Sequence, residues 1–258
     1  MRWESTIVRV ERGAIRWMPS SVVMLGNASI HRFKGEPELR ELPRLVAPGS
    51  CAIDVGAHFG TYSHALCRLV GKHGRVISVE PIEEDAHFLA AAARQLRLPM
   101  EVHNCALSAE ARVADLHIPN LHGHQKTALS SLEARDSVAQ TRKVTVKRLD
   151  DLLEGVEQPV SFIKIDVEGH ESAVLDGASE TIARHRPNLL IEIEGRFLDH
   201  PVADTIDRVL AMGYRGEFLN ATGQRRPVSE FRPELHQDAA AHDALSREYI
   251  SNFIFTPA

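Results

Sequence analysis

Two constellations in this chain carry residue types able to do chemistry. The first is Cys51-Ala52-Ile53-Asp54-Val55-Gly56-Ala57-His58-Phe59-Gly60, followed by a second apolar run that ends at Glu80. An apolar segment closing on an acid and two glycines reads as a strand that turns tightly into a helix, its backbone bare enough for a ligand to come close. A carboxylate at the end of the next strand, Glu80, can accept hydrogen bonds from both hydroxyls of a ribose. Together these residues predict a nucleoside site. Gly56-x-x-x-Gly60 lacks the close Gly-x-Gly pair that lays backbone against a pyrophosphate, which favours a phosphate-free ligand and disfavours a nicotinamide dehydrogenase. The spacing Asp-x-Gly-x-x-x-Gly suits S-adenosylmethionine, whose ammonium Asp54 or a neighbouring backbone carbonyl can receive.

The second constellation is Ser161-Phe162-Ile163-Lys164-Ile165-Asp166-Val167-Glu168-Gly169-His170-Glu171. Period-two alternation sends Lys164, Asp166 and Glu168 to one side and Ile163, Ile165 and Val167 to the other, until Gly169 breaks the pleat. The charged group then collects at the C-terminal end of a strand, where open α/β sheets bind ligands.

The elements that must position these groups alternate. Strands are expected at residues 51–53, 75–80, 101–106, 112–118, 143–148, 161–167, 188–193, 214–219 and 251–255, and helices at 61–70, 83–98, 171–185 and 202–212. Alternation of this kind argues for a parallel sheet covered on both faces. Residues 1–49 read as a flank or lid on a main domain of residues 50–258, with short β-like pieces at 6–10 and 14–18 and a helix start at Glu36-Pro37-Glu38-Leu39. The stretches 119–140 and 224–248 have little period and read as variable substrate segments. Arg225-Arg226 in the latter reads as a solvated basic step.

Composition excludes little but points one way. The 258 residues carry a formal charge of −5, with an isoelectric point near 6.3, so no basic field invites nucleic acid as the main partner. The start Met1-Arg2-Trp3-Glu4-Ser5 has no apolar secretory core and no stretch is long enough for a membrane span, which makes a cytoplasmic location the expectation. Cys51, Cys67 and Cys105 have no Cys-x-x-Cys spacing and read as buried reduced thiols.

With these residues in view, the chain resembles the FkbM-type family of S-adenosylmethionine-dependent methyltransferases over residues 48–193, with a weaker echo at Asn252-Phe253-Ile254-Phe255. The resemblance makes Asp54, Gly56, Ala57, His58 and Gly60 the cofactor loop, Glu80-Pro81 the ribose site and Ala106-Leu107-Ser108 the adenine-side segment. Leu149-Asp150-Asp151-Leu152, the Lys164 to Glu171 run, Val174-Leu175 and Gly177-Ala178 complete the order. It implies a class I methyltransferase fold, Rossmann-like, with a seven-stranded, mostly parallel sheet whose last strand inserts antiparallel beside the fifth. It also implies methylation of a hydroxyl on a saccharide or secondary metabolite, and a homodimer is compatible with it. His58 stands where the family more often has Asn, and 119–140 matches little beyond Ser130-Ser131-Leu132.

Such an alcohol acceptor needs a base. His170 is one candidate, and its alternative is to cap the following helix; Asp166 is the other, with cofactor orientation as its alternative. Glu168 and Glu192 can assist. His122 and His124 either reach the substrate or are ordinary loop histidines. Asp166, Glu168 and His170 are also types that bind Mg2+ or Mn2+, but near-consecutive positions of one strand do not readily converge on an ion, so no metal is expected. A non-catalytic cofactor-binding protein and a methyltransferase acting on RNA or protein are the rival readings.

Overall fold

A computed structural model describes residues 18–34, 36–121, 124–125, 129–133, 138–238 and 248–258. The β-like piece expected at 6–10, all of the one expected at 14–18 except Met18, residue His122 and the side chain of His124 lie outside the described residues. The strands, in chain order, are β1 Cys51–Val55, β2 Arg75–Val79, β3 Met100–His103, β4 Ala106–Leu107, β5 Arg112–Leu121, β6 His124–Gln125, β7 Val138–Lys147, β8 Val160–Ile165, β9 Asn188–Glu192, β10 Tyr214–Leu219, β11 Arg225–Pro227 and β12 Asn252–Pro257.

Eight strands form the main sheet in the order β11-β10-β12-β9-β8-β1-β2-β3. The segment from β9 to β3 is parallel, and β12 enters antiparallel between β9 and β10. Seven of these strands follow the expected topology. The eighth, β11, is a three-residue edge addition paired antiparallel with β10, so the expected strand number is corrected by one.

The central strand β1 is buried along its whole length and its neighbours nearly so, and alternate side chains feed opposite layers. Ile53, Val55, Ile163 and Ile165 enter one core, whereas Ala52, Phe162, Leu190 and Ile254 enter the other. A sheet covered on both faces requires this near-continuous apolar run. The run is broken where chemistry intrudes, at Asp54 and Lys164, which are paired in register across β1 and β8.

A second, four-stranded sheet in the order β4-β7-β5-β6 is inserted between β3 and β8. The single strand expected at 101–106 is in fact two: β3 stays in the main sheet and β4 crosses to the inserted one. The ribbon strands β5 and β7 are longer than expected, because their antiparallel pairing carries on past Ile118 through a register shift. Arg142 Nη1 donates to both carboxylate oxygens of Glu84, at 2.9 and 2.7 Å, and ties the ribbon to the helix Glu83–Leu96.

Two further differences involve helices. Residues Ser20–Lys34 form a helix that docks on the helices Thr61–Val70 and Glu83–Leu96. Its apolar period is diluted by Gly26, Asn27 and Ser29, yet Met24 is fully buried against Ala57, Leu89 and Ala92. The helix expected at 171–185 is split into Glu171–Gly177 and Ser179–His185.

Arg225 is not merely solvated. It sits 2.7 Å from Glu41 and 3.0 Å from Glu217, pinning β11 to the residues before β1. All three cysteines are buried free thiols. Among the described residues no helix is long and apolar enough to cross a membrane.

Candidate functional site

The loop after β1 is shaped by the protein before any ligand is considered. Gly56 has φ 80°, and a Cβ there would overlap the backbone carbonyl oxygen of Asp166. Gly60 has φ 77°, and a Cβ there would meet Leu89 and Met24. The two glycines thus let the loop cross the end of β8 and press onto neighbouring helices; their clash is with protein rather than with a ligand. Sheet hydrogen bonding continues into this turn, with Gly56 N–H donating to Val79 O at 3.0 Å and Asp166 N–H donating to Val55 O at 3.0 Å.

A cavity opens at the C-terminal ends of β1, β2 and β8, bounded on its far side by the inserted sheet. Gly56, His58, Glu80 and Pro81 line one wall; Asp166, Glu168 and His170 line another. Ala106, Leu107, Leu116 and Leu132 supply an apolar surface, next to Ser130 and Ser131. Ser130 Oγ is buried and has no hydrogen-bond partner among the described residues.

Glu80 is fixed from two sides. Its Oε2 accepts from His58 N–H and its Oε1 from Ile82 N–H, each at 2.8 Å. Burial pushes its pKa up to about 8, with nearby Asp85 adding to the rise and the two N–H bonds opposing it. Asn104 Nδ2 donates to the carbonyls of Glu80 and Pro81 and so holds the turn. His58 itself adopts φ 43°, a left-handed conformation unusual outside glycine.

Asp54 does not reach the cavity. It is 2% exposed, its Oδ2 accepts from Ser63 Oγ–H at 2.5 Å, and burial lifts its pKa to about 6 against that bond. The acids that line the cavity are Glu80, Asp166 and Glu168. Ala57, Gly60 and Glu192 likewise stand behind the walls rather than in them.

Beneath the acids lies Lys164, 1% exposed. Its Nζ is 3.5 Å from Asp166 and 3.7 Å from Glu192, and 5.3 Å from the centre of the Tyr62 ring. Burial alone would lower its pKa, but Asp166 and Glu192 outweigh burial and hold it above the ordinary lysine range. Asp166 is raised by burial and by Glu192, with Lys164 pulling the other way. Glu168, at φ 55°, is raised by burial and by Asp166. Left-handed backbone at two cavity residues, His58 and Glu168, is strain of the kind that collects at functional sites.

His170 is locked. Its Nδ1 lies 2.6 Å from Glu133 Oε1 and its Nε2 lies 2.9 Å from Ser108 Oγ. It also occupies the N-cap position of the helix Glu171–Gly177, without a side-chain capping bond. Glu133 and Leu116 are members of the site that sequence reasoning missed. The one available signal for Glu133 was its place directly after Ser130-Ser131-Leu132. Among the described residues no group of three His, Cys, Asp or Glu side chains is arranged to hold a metal ion.

The strand order, the antiparallel β12 and a cavity at the C-terminal strand ends define a class I methyltransferase fold. The family model described as the methyltransferase FkbM domain matches residues 54–215, more than half of the chain, and the chain belongs to this family. A search of curated proteins finds no matching sequence. Among solved structures, the chain is similar to a methyltransferase FkbM from Methylobacillus flagellatus KT, at 18% identity and TM-score 0.48 over 85% of this chain and 50% of that one. The chain thus spans half the length of that protein. It is also similar to a SAM dependent methyltransferase from Aquifex aeolicus, at 16% identity, TM-score 0.46 and coverage of 93% and 98%. An O-methyltransferase from Bacillus cereus, solved in complex with SAH, aligns at 14% identity, TM-score 0.47 and coverage of 97% and 96%.

Proposed function

We propose that this protein transfers a methyl group from S-adenosylmethionine to a hydroxyl of a saccharide or secondary metabolite. The transfer is assigned to a catalytic domain of residues 50–258, with residues 1–49 as its flank. The observation that carries the reading is Glu80, a buried carboxylate at the cavity wall, each of whose oxygens accepts one backbone N–H and keeps a lone pair for a ribose hydroxyl.

The rest of the cavity fits the same cofactor. Ala106, Leu107, Leu116 and Leu132 offer an apolar surface to adenine, and the unpartnered Ser130 hydroxyl can bond its edge. Gly56 and His58 give the loop its path, with Ala57 and Gly60 supporting it, and Pro81 completes the ribose side. S-adenosylmethionine brings an already activated methyl group, so the protein's task is to align the acceptor and remove its proton.

Asp166 is the better base. Both nitrogens of His170 are engaged, whereas Asp166 lines the cavity and has its pKa raised by burial and by Glu192, which makes its carboxylate, once ionised, a stronger proton acceptor. With donor and acceptor bound, the acceptor O–H would give its proton to the ionised Asp166 as the methyl's C–S bond breaks and its C–O bond forms, leaving S-adenosylhomocysteine, and Lys164 beneath keeps the carboxylate in place.

Calorimetric titration with S-adenosylmethionine tests the assignment. Loss of charge-assisted bonds to the diol in Glu80→Ala removes about 1.5–3 kcal/mol, or roughly 10- to 100-fold in affinity. Because the diol donates to the ionised carboxylate, wild-type affinity rises with pH until Glu80 is ionised in the free protein, near 8. Equal affinity in wild type and variant would remove Glu80 from the site.

A further inference from the structure

The hydrogen-bonded row Glu133–His170–Ser108 joins the inserted segment to the end of β8, and its role here rests on the reading above that the cavity holds the donor. Ser130, Ser131 and Leu132 pass along the cavity as its outer wall. Leu132 packs against the cluster of Ile82, Leu116 and Ile118. On the ribbon side the wall is tied by backbone alone: His117 N–H donates to Ser131 O at 2.8 Å and Ser131 N–H donates to His117 O at 3.1 Å. Glu133 N–H donates to Ser131 Oγ at 3.1 Å and stiffens the turn.

On the main-sheet side two ties hold the wall: Ser131 Oγ–H donates to Val167 O at a long 3.4 Å, and the Glu133 carboxylate lies on His170 at 2.6 Å. An ionised carboxylate only accepts, so in the neutral imidazole Nδ1 carries the hydrogen and Nε2 accepts from the Ser108 hydroxyl, 2.9 Å away. The donors then run one way, from Ser108 through His170 to Glu133. The ring is 8% exposed and the carboxylate 49% exposed. A half-exposed acid therefore grips a buried ring, and the contact can release from the acid's side without unpacking the core.

We propose that Glu133 is a positioning residue which, acting through His170, clasps the wall of Ser130 to Leu132 over the donor and so sets donor affinity. The Ser108 hydroxyl is the fixed end of the clasp: Ser108 is 2% exposed and does not line the cavity.

The test uses the full chain with Glu133→Ala and Glu133→Gln, titrated calorimetrically with S-adenosylmethionine and with S-adenosylhomocysteine. The expected result is about tenfold weaker binding of both ligands by Glu133→Ala, the scale of one lost charge-assisted bond. Glu133→Gln, whose amide oxygen still accepts from Nδ1–H, is expected to restore most of it. Thermal unfolding midpoints of the three proteins guard against a mere folding defect. Nitrogen NMR of the histidine rings supplies a readout independent of the donor: His170 is expected as the Nδ1–H tautomer in the wild type. Unchanged binding by Glu133→Ala, no rescue by Gln, or an Nε2–H tautomer would overturn the clasp alone. Failure of the wild type to bind either ligand would overturn the clasp and the donor reading together.

Discussion

At the scale of single residues, the cavity sorts three groups that look interchangeable in the sequence. Asp54, Asp166 and His170 all sit at strand ends, but Asp54 is spent on Ser63 and His170 on Glu133 and Ser108. Asp166 lines the cavity, with its carboxylate 3.5 Å from the buried Lys164. With an acceptor found by screening glycosides, Asp166→Asn is expected to lower kcat by about 10²–10⁴, the usual worth of a positioned base, while donor affinity changes far less. A loss confined to donor affinity would instead make Asp166 a cofactor ligand. The glycines carry a related lesson. Gly56 and Gly60 were legible as positions where a side chain cannot fit, but not for which reason, because the atoms they avoid belong to Asp166, Leu89 and Met24, far away along the chain.

At the scale of elements, Asp150 explains why one expected helix is two. Its Oδ1 accepts from Thr181 N–H at 2.9 Å and from Thr181 Oγ1–H at 2.7 Å, and its Oδ2 accepts from Glu180 N–H at 3.2 Å. The helix Ser179–His185 is thus capped by a residue of the short helix Leu149–Leu152, in place of a local N-cap side chain. Arg148 Nη2 donates to Asp150 Oδ2 at 3.0 Å and holds the carboxylate in place. Asp150→Ala is expected to cost about 1–2 kcal/mol, the value of a strong N-cap, measured as a lower urea midpoint. No change would show the cap to be incidental. The break at Ala178 was hidden because residues 171–185 keep an apolar period across it. The helix Ser20–Lys34 was hidden for the opposite reason: its period is weak, and its order comes from docking on two other helices, with Met24 packed against Leu89 and Ala92 of one of them.

At the scale of the whole molecule, the fold keeps several acids out of water. Burial raises Asp54 to about 6, Glu38 to about 7 and Glu80 to about 8. The folded state therefore binds protons more tightly than the unfolded chain. The stability these groups contribute is full below the ordinary carboxylate range of roughly 4 and is lost as pH rises through about 6 to 8. The urea midpoint of the ligand-free protein is expected to fall between pH 5 and pH 9; a midpoint that rises over that range would contradict the burial of these acids as ionisable groups. The sequence by itself determined the alternating architecture, the two charged strand ends and the family, because apolar period, glycine spacing and the order of short motifs are local properties. Only the tertiary structure decided which carboxylates line the cavity, what the glycines avoid and that Glu133 grips His170. Those depend on register between β1 and β8 and on where the inserted sheet lands, contacts between residues far apart in the chain that no local pattern encodes.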